Sequence, residues 1–405
     1  MYTQAKELSL LKTLMDNIED NIYFMDREGH IILINQAGAK WLGFNSPEEV
    51  IGKTDLDIFT DEHGRAAFED EQRIMETGEP ILGLEEKETW EDGHETWVST
   101  SKMPMRDEDG NTTGIVGISR DITKHQLSEI KLHQYAHRLT QINKQMEEEL
   151  HMAANLQRAF LPQFYPDFPA PGEKRPVQFA HSYIASTLVS GDLCAVNKLN
   201  DTEAGILIFD VMGHGVRAAL ITAVIYTMIC ELSHRGLQPG EFLSEMNRQI
   251  RTMLQTQDDF IFITANYLIL NIKTGCLTGA SAGHTTPFVI SRKEKSTSVS
   301  LLHAASKVNG PALAVSENFE YETFSTQLAP NDSVLLYTDG LIEEENEVGK
   351  EFGADRVKTL LQQRDDNDPQ ALCDALVNRV SEFNHGATLT DDICLLAFRW
   401  NGSSN

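Results

Sequence analysis

Length, composition and charge limit what this chain can be. Its 405 residues are too many for one ordinary hydrophobic core, which predicts two or three domains. The chain carries 61 Asp and Glu against 34 Lys and Arg, a formal net charge of -27 at pH 7. This balance argues against nucleic acid as the main partner, because a phosphate backbone requires a basic surface, and it suits metal ions or basic protein surfaces.

The sequence also predicts a cytoplasmic protein with no membrane partner. No apolar stretch approaches the length of a membrane span, and residues 1–11 carry polar and acidic residues where a signal peptide would have an apolar segment. The five cysteines are scattered and lack C-x-x-C spacing. A zinc site or a disulfide framework is therefore not expected.

The first region, from about Leu10 to Thr123, alternates short apolar runs with turn signals. This pattern predicts a small antiparallel sheet with helices between its strands. A helix is predicted at Glu69–Glu76, ending at Gly78. The predicted strands are Asn21–Met25, His30–Asn35, Thr96–Met105 and Gly114–Arg120.

Residues 124–160 contain neither Gly nor Pro and predict a long helix. Apolar residues recur there at alternating spacings of three and four, as in a coiled coil: Leu132, Tyr135, Leu139, Ile142 and Met146. The interpretation is a coiled-coil or helical-hairpin linker; the alternative is one amphipathic helix packed on its own domain. Leu161-Pro162 ends the helix, and the prolines that follow predict an irregular connection at 161–176.

The last region, residues 177–400, mixes strands and helices in groups without strict alternation. This grouping favours an α+β sandwich in one compact domain over a doubly wound parallel sheet. Helical spacing occurs at Val216–Arg235 and Glu241–Gln255. The strand-like runs are Ile206–Phe209, Phe262–Ile272, Ser333–Tyr337 and Ile393–Arg399.

Four acidic clusters in this region place an Asp after an apolar run or beside a Gly, at Asp192, Asp210, Asp339 and Asp391. Carboxylates delivered from four strand ends can converge on hard divalent cations, and such a site favours metal-assisted hydrolysis. A single Asp-Gly is most often a turn, and Asp391-Asp392 alone could be a solvated pair or a helix cap. The combination favours a metal site, with the role of Asp392 left open.

Residues 177–400 resemble the SpoIIE-like or RsbU-like branch of the PPM family of metal-dependent protein serine/threonine phosphatases. The resemblance implies a PPM-type αββα sandwich that hydrolyses phosphoserine or phosphothreonine with water activated by two Mn2+ or Mg2+ ions. The matching motifs occur in order: Ser190-Gly191-Asp192, Asp210-Val211-Met212-Gly213-His214-Gly215, Ala218-Ala219-Leu220, Ser281-Ala282-Gly283-His284, Tyr337-Thr338-Asp339-Gly340-Leu341-Ile342-Glu343, Phe352-Gly353 and Asp391-Asp392-Ile393.

The resemblance also implies a role for each aspartate. Asp210 would bridge the two ions, with the Val211 carbonyl as a further ligand. Asp339 and Asp391 would complete the opposite side, and Asp192 would bind directly or through water. Asp210, Asp339 and Asp391 are therefore the expected catalytic residues.

Other residues near these motifs leave alternatives open. Gly213 and Gly215 are expected to let the backbone turn sharply into the next helix. His214 and His284 could donate a proton to the leaving oxygen, or they could have supporting or surface roles. The run Glu343–Glu345 is expected to be a solvated acidic face.

One departure concerns the first motif. Many relatives have a second Asp three positions after the first, where this chain has Ala195. The missing carboxylate is expected to weaken one metal position.

The N-terminal region resembles a PAS sensor domain. The resemblance rests on the Asp26-x-x-Gly29 turn, Asn35-x-Ala37, Gly43-Phe44, Thr77-Gly78-Glu79-Pro80 and Asp121-Ile122-Thr123. The absence of Cys from this region excludes covalent flavin photochemistry, and Ala66-Ala67-Phe68 stands where a haem ligand often lies. His63 is the remaining candidate ligand, with an exposed loop as its alternative. The PAS ligand stays unknown, and the domain could serve dimerisation alone.

The predicted organisation is a PAS domain with a short N-terminal helix at 1–123, a helical linker at 124–160, a connection at 161–176 and a phosphatase domain at 177–400. The hypothesis is a signal-regulated phosphatase, homodimeric through the PAS domain and the linker, which controls activity. The resemblance implies as substrate a phosphorylated STAS-type anti-sigma-factor antagonist. Two alternatives remain: a catalytically weak scaffold that sequesters a partner, suggested by Ala195, and a hydrolase of a small phosphate ester.

Overall fold

The computed structural model describes residues 4–90, 92–168, 175–213, 215–254, 261–293, 296–302, 305, 309–364, 366 and 368–402. His214, one of the predicted proton donors, lies outside these residues. The chain divides into two compact units, residues 1–143 and 144–405. Within the described ranges no helix combines the length and apolar character needed to cross a bilayer.

The N-terminal unit is built on a five-stranded antiparallel sheet. The strand order is β2-β1-β5-β4-β3, with the first strand paired to both the second and the last. Its elements are α1 (Gln4–Asn17), β1 (Asn21–Met25), β2 (Ile31–Ile34), α2 (Gln36–Trp41), α3 (Asp61–Thr77), β3 (Ile81–Thr89), β4 (Glu95–Arg106) and β5 (Thr112–Asp121).

Four of these strands were predicted, and β1 has the predicted bounds. The missed strand, β3, is largely exposed and runs through Glu85, Glu86 and Lys87, so it lacks the apolar alternation of a half-buried strand. Helix α3 begins at Asp61, earlier than predicted. It ends as predicted at Gly78, whose φ of 70° is the left-handed conformation that closes many helices.

The side chain of Asn35 forms hydrogen bonds that connect the segments on the buried side of this sheet. Its Oδ1 accepts hydrogen bonds from the N–H groups of Gly38 at 2.9 Å and Ile22 at 3.1 Å, and its Nδ2 donates to the Asp20 carbonyl at 2.9 Å. One side chain therefore caps α2 and joins it to β1. The apolar cluster beside it contains Met25, Ile31, Ile34, Ala39 and Val50.

The predicted linker is a single helix, α4 (Thr123–Arg158), of 36 residues. The Asp121 carboxylate accepts the Thr123 N–H at 2.8 Å, and Thr123 Oγ1 accepts the Trp97 N–H at 2.9 Å, which ties the helix start to β4. The apolar heptad residues Leu132, Tyr135, Leu139, Ile142 and Met146 are between 47% and 69% exposed. This exposure favours the linker interpretation over a helix packed on its own domain, and the coiled coil stays a prediction.

The C-terminal unit is a four-layer sandwich of two central antiparallel sheets with helices outside each. One sheet has the order β13-β10-β9-β8-β7 with β14 also on β10, and the other has β12-β11-β15-β16-β6. One parallel pair, β10 with β13, interrupts the antiparallel pattern. The strands are β6 (Val177–Ile184), β7 (Leu193–Lys198), β8 (Glu203–Val211), β9 (Ile263–Asn271), β10 (Cys276–Ala282), β11 (Phe288–Lys293), β12 (Ser296–Leu301), β13 (Asn309–Gly310), β14 (Phe324–Gln327), β15 (Ser333–Tyr337) and β16 (Ile393–Trp400).

The helices form the outer layers. One apolar cluster fills the space between the sheets and extends under α5 and α6, and a second lies between the other sheet and α8 and α9. The α+β prediction is confirmed, and every predicted element of this region is present. The helices are α5 (Val216–Leu232), α6 (Pro239–Leu254), α7 (Gly340–Glu343), α8 (Ala354–Gln363) and α9 (Pro369–Phe383).

Candidate metal centre

The four predicted aspartates lie at one end of the two sheets. Asp192 directly precedes β7, and Asp210 lies at the end of β8, its antiparallel neighbour, with Leu193 opposite Phe209. Asp339 follows β15 and Asp391 precedes β16, which are also antiparallel neighbours. In an antiparallel pair the end of one strand lies beside the start of the other. Each sheet therefore places two carboxylates at the same end of its strands.

The carboxyl groups of Asp192 and Asp210 interact with each other. The Asp192 side chain is buried, and its Oδ2 accepts a 2.6 Å hydrogen bond from Thr338 Oγ1. Thr338 Oγ1 also accepts the Cys394 N–H at 2.9 Å, so one hydroxyl joins both sheets at the site. Burial, followed by the charge of Asp210, raises the pKa of Asp192 well above its usual range.

The other carboxylates reinforce this effect. Burial and then the charge of Asp339 raise the pKa of Asp210 to about 7. Burial also raises the pKa of Asp339. The carboxylates therefore repel one another when ionised, and a bound cation would reduce this repulsion.

Two glycines allow the loops to approach so closely. A Cβ at Gly191 would stand 2.6 Å from the Val211 carbonyl oxygen, and one at Gly340 would stand 2.1 Å from the Asp392 carbonyl oxygen. Both contacts are with main-chain atoms that cannot move aside. Glycine is therefore required at both positions to bring the aspartate loops together.

The turn after β8 has the backbone that the sequence predicted. Gly213 and Gly215 both have φ of 87°, a conformation that glycine adopts without strain, and α5 begins directly afterwards. The Val211 main chain lies against the Gly191 loop, with its N–H 3.3 Å from the Gly191 carbonyl. Its own carbonyl oxygen lies close to Gly191, the neighbour of Asp192, and its role as a ligand stays a prediction.

Asp392, whose role the sequence left open, is a loop anchor. Its Oδ1 accepts the Ser186 N–H at 2.7 Å and the Ser186 hydroxyl at 2.9 Å, and its Oδ2 accepts the Gly191 N–H at 3.0 Å. Its side chain is buried, and both carboxylate oxygens are occupied by these donors. We therefore assign Asp392 to holding the 186–191 segment and keep Asp391 as the candidate ligand.

The acidic run Glu343–Glu345 is not uniformly solvated, which corrects the prediction. Glu344 is 1% exposed and accepts hydrogen bonds from Asn384 Nδ2 at 2.9 Å and from the Thr390 N–H at 3.0 Å. It anchors the segment that leads to Asp391. The Asp-Gly and Glu-rich pattern contains no signal for this burial, because the partners are distant in sequence.

His284 is buried behind the aspartates. Its Nδ1 lies 2.7 Å from Thr264 Oγ1, and Thr264 is the strand partner of Asp210. Burial lowers the pKa of His284 to about 3, so the imidazole is neutral near pH 7. This arrangement favours the supporting role over proton donation.

Ala195 lies in the hydrophobic core and pairs with Leu207 on β8. It stands three residues along β7 from Asp192, roughly 10 Å at the rise of a strand. The four aspartates at the strand ends therefore come together without a carboxylate at position 195.

The donor set fits a hard divalent cation. Carboxylate oxygens and a main-chain carbonyl are the ligands that Mg2+ and Mn2+ take in proteins. In the described part of the chain, no three His, Cys, Asp or Glu side chains already surround a common point at metal-binding distances. Asp192 interacts with Asp210, and Asp339 and Asp391 lie at the same end of the two sheets.

The N-terminal unit contains a separate small cavity of about 40 Å³ that is lined by both apolar and polar side chains. Lys102 Nζ forms a 2.8 Å ion pair with Glu71, and both side chains are buried. Glu88, also at the wall, accepts hydrogen bonds from Trp41 Nε1 at 3.1 Å and Thr96 Oγ1 at 2.8 Å, and burial raises its pKa to about 7. His63, expected as an exposed loop residue if not a ligand, lies on α3 and lines this cavity.

Comparison with known families agrees with both units. Residues 15–126 match the PAS fold family, and residues 200–401 match the family Stage II sporulation protein E (SpoIIE). The solved SiaA-PP2C domain of Pseudomonas aeruginosa is similar in fold, with a TM-score of 0.53 at 22% sequence identity, covering 64% of this chain and 98% of that one. The chain therefore carries a PAS domain followed by a PP2C-like domain.

That second domain belongs to the SpoIIE family of PPM-type phosphatase domains. Phosphoserine phosphatase RsbP of Bacillus subtilis is 32% identical over 168 residues, which cover 41% of this chain and 40% of that protein. Phosphoserine phosphatase RsbU of the same organism is 29% identical over 209 residues, covering 51% of this chain and 57% of that protein. The chain thus spans about half the length of these curated relatives.

Proposed function

We propose that this chain is a Mn2+- or Mg2+-dependent phosphoprotein phosphatase whose activity the PAS domain and α4 regulate. The observation that carries the proposal is that Asp192, Asp210, Asp339 and Asp391 lie at one end of the two sheets and that the carboxyl groups of Asp192 and Asp210 interact. The family of the domain and the names of its relatives support the same activity.

The residues at this edge have distinct tasks in the proposed mechanism. Asp210 would hold both ions, the Val211 carbonyl and Asp192 would complete one side, and Asp339 and Asp391 the other. Two bound ions would supply a water of lowered pKa and neutralise the phosphoryl oxygens. Thr338 fixes the orientation of Asp192 through its 2.6 Å hydrogen bond.

The substrate proposed is a phosphoserine or phosphothreonine on a protein, specifically a STAS-type anti-sigma-factor antagonist. Support comes from the two relatives named phosphoserine phosphatases. The chain's net charge of -27 suits recognition through a basic surface of such a partner. A scaffold with poor turnover and a hydrolase of small phosphate esters are the competing functions.

One experiment separates these functions. The full chain is expected to release phosphate from a phosphoserine-containing STAS-type protein with Mn2+, and to lose this activity in EDTA, because the carboxylates cannot activate water without the ions. Equal efficiency on p-nitrophenyl phosphate and on the phosphoprotein would favour the small-ester hydrolase. Tight phosphoprotein binding without phosphate release would favour the scaffold.

We also propose that α4 associates with α4 of a second copy. Its exposed heptad residues form the a and d seam of a parallel coiled coil, which would bury them against the same residues of the partner. Substituting Leu139→Glu and Ile142→Glu together is expected to convert a dimer to a monomer in sedimentation experiments. The control is Gln141→Glu, an exposed position between them. A double variant that stays dimeric would place the dimer contact elsewhere.

A further inference from the structure

Near the C-terminal end of α4, the side chain of Gln157 contacts Ser190, which lies in the loop that leads to Asp192. Gln157 is 5% exposed, although most of the helix around it is solvated. Its Nε2 donates to the Ser190 carbonyl at 2.6 Å, and its Oε1 accepts the Ser190 N–H at 3.0 Å. The amide thus satisfies both main-chain groups of one residue, as a neighbouring strand would.

Ser190 in turn positions Asp192. The Ser190 hydroxyl accepts the Asp192 N–H at 2.9 Å, so the main chain held by Gln157 is joined directly to that of the candidate ligand. Gly191, the residue between them, has three other anchors. Asp392 accepts its N–H, and Thr222 Oγ1 and the Val211 N–H donate to its carbonyl at 3.1 Å and 3.3 Å. Those anchors come from the start of β16, from α5 and from the end of β8, whereas Gln157 comes from α4.

This geometry is sensitive to the register of α4. One residue of the helix corresponds to about 1.5 Å of rise and 100° of rotation. Either displacement would carry the amide out of hydrogen-bonding range of Ser190, because hydrogen bonds weaken steeply beyond about 3.2 Å. The Ser190–Asp192 segment would then lose its hold on the Ser190 main chain and keep the anchors at Gly191 and the Thr338 hydrogen bond to the Asp192 carboxylate.

We propose that Gln157 is a positioning residue that holds Ser190 to Asp192 so that the Asp192 carboxylate meets Asp210 and completes one side of the metal centre. The inference rests on the proposed function and adds the residue through which α4 sets metal affinity. Gln157 does not touch substrate or metal. It acts through the main chain of Ser190.

The chain offers a matched control at Gln163. Its Nε2 donates to the main-chain carbonyls of Arg158 at 2.8 Å and Leu161 at 3.2 Å, away from the aspartate loop. Gln157→Glu and Gln163→Glu therefore both replace a main-chain hydrogen-bond donor by a carboxylate oxygen. Gln157→Met, of similar length and without charge, separates loss of the bonds from the added negative charge.

The readout is Mn2+ binding by the full chain, measured from the electron paramagnetic resonance signal of free Mn2+. Gln157→Glu and Gln157→Met are expected to weaken binding about tenfold or more, and Gln163→Glu to leave it unchanged, with all three folded by circular dichroism in EDTA. Wild-type Mn2+ affinity in both folded Gln157 variants would overturn the inference. If either variant fails to fold, the other decides the question.

This experiment also keeps the two proposals distinguishable. A wild-type chain that binds Mn2+ but releases no phosphate from the phosphoprotein would refute the proposed function, while the Gln157 variants would still decide the inference by metal binding. A wild-type chain that binds no Mn2+ would overturn both. A loss of thermal stability with unchanged Mn2+ affinity would show that Gln157 is only structural.

Discussion

The Asp210→Asn variant is expected to lose phosphatase activity by roughly a thousandfold or more. Asp210 is the carboxylate with contacts or charge interactions to all the others, and removing its charge would cost the site several kcal/mol of cation and transition-state stabilisation. The measurement is the initial rate of Mn2+-dependent phosphate release from the phosphoprotein, over a range of Mn2+ concentrations. High Mn2+ is not expected to restore the rate.

The same variant is expected to remain folded. In EDTA, the substitution removes one of several repelling buried charges, so the thermal midpoint should equal or exceed that of the wild type. A large fall in the midpoint would mean that the lost activity reflects unfolding. Activity that does not depend on Asp210 would refute the metal mechanism altogether.

Asp391 and Asp392 are adjacent, and their Asn variants are expected to behave in opposite ways. Asp392→Asn should lower the free energy of unfolding by about 1–3 kcal/mol, because both buried Asp392 oxygens accept hydrogen bonds and the amide NH2 that replaces Oδ2 cannot accept the Gly191 N–H. Asp391→Asn retains an Oδ1 for the Asp392 N–H, which it accepts at 2.8 Å. Its stability should therefore change little, whereas its activity should fall by about a hundredfold or more, as expected for a lost metal ligand.

Urea unfolding in EDTA and phosphate release in Mn2+ measure the two effects separately. Comparing adjacent positions in one loop controls for local backbone disturbance. Equal destabilisation by both substitutions would contradict the division of roles. So would full activity in Asp391→Asn, since that carboxylate could then not be a ligand.

Much of the fold was accessible from local sequence pattern. β1 and β15 have their predicted bounds, because Asn21–Met25 and Ser333–Tyr337 are short apolar runs bounded by turn residues. The long helix α4 followed from the absence of Gly and Pro. β3, β6, β7 and the strands β10–β14 were missed, because their burial depends on neighbouring strands and not on a local alternation.

In the candidate site, too, some residues could be predicted from the sequence and others could not. Asp192, Asp210, Asp339 and Asp391 could be selected from sequence because each follows or precedes an apolar run, and strand ends are where a sandwich exposes functional groups. Asp392 and Glu344 could not be assigned in this way. Their partners, Ser186, Gly191, Asn384 and Thr390, are brought to them only by the packing of distant segments.

The sequence by itself determined the two-part organisation, the α+β class and the set of aspartates, because apolar periodicity, turn residues and motif order are local properties of the chain. The tertiary structure alone decided which acidic residues face the centre and which anchor its loops. It also placed Gln157 on Ser190 and His284 behind Asp210. Such roles depend on hydrogen bonds between segments far apart in sequence, and burial determines both their strength and the protonation of the groups involved.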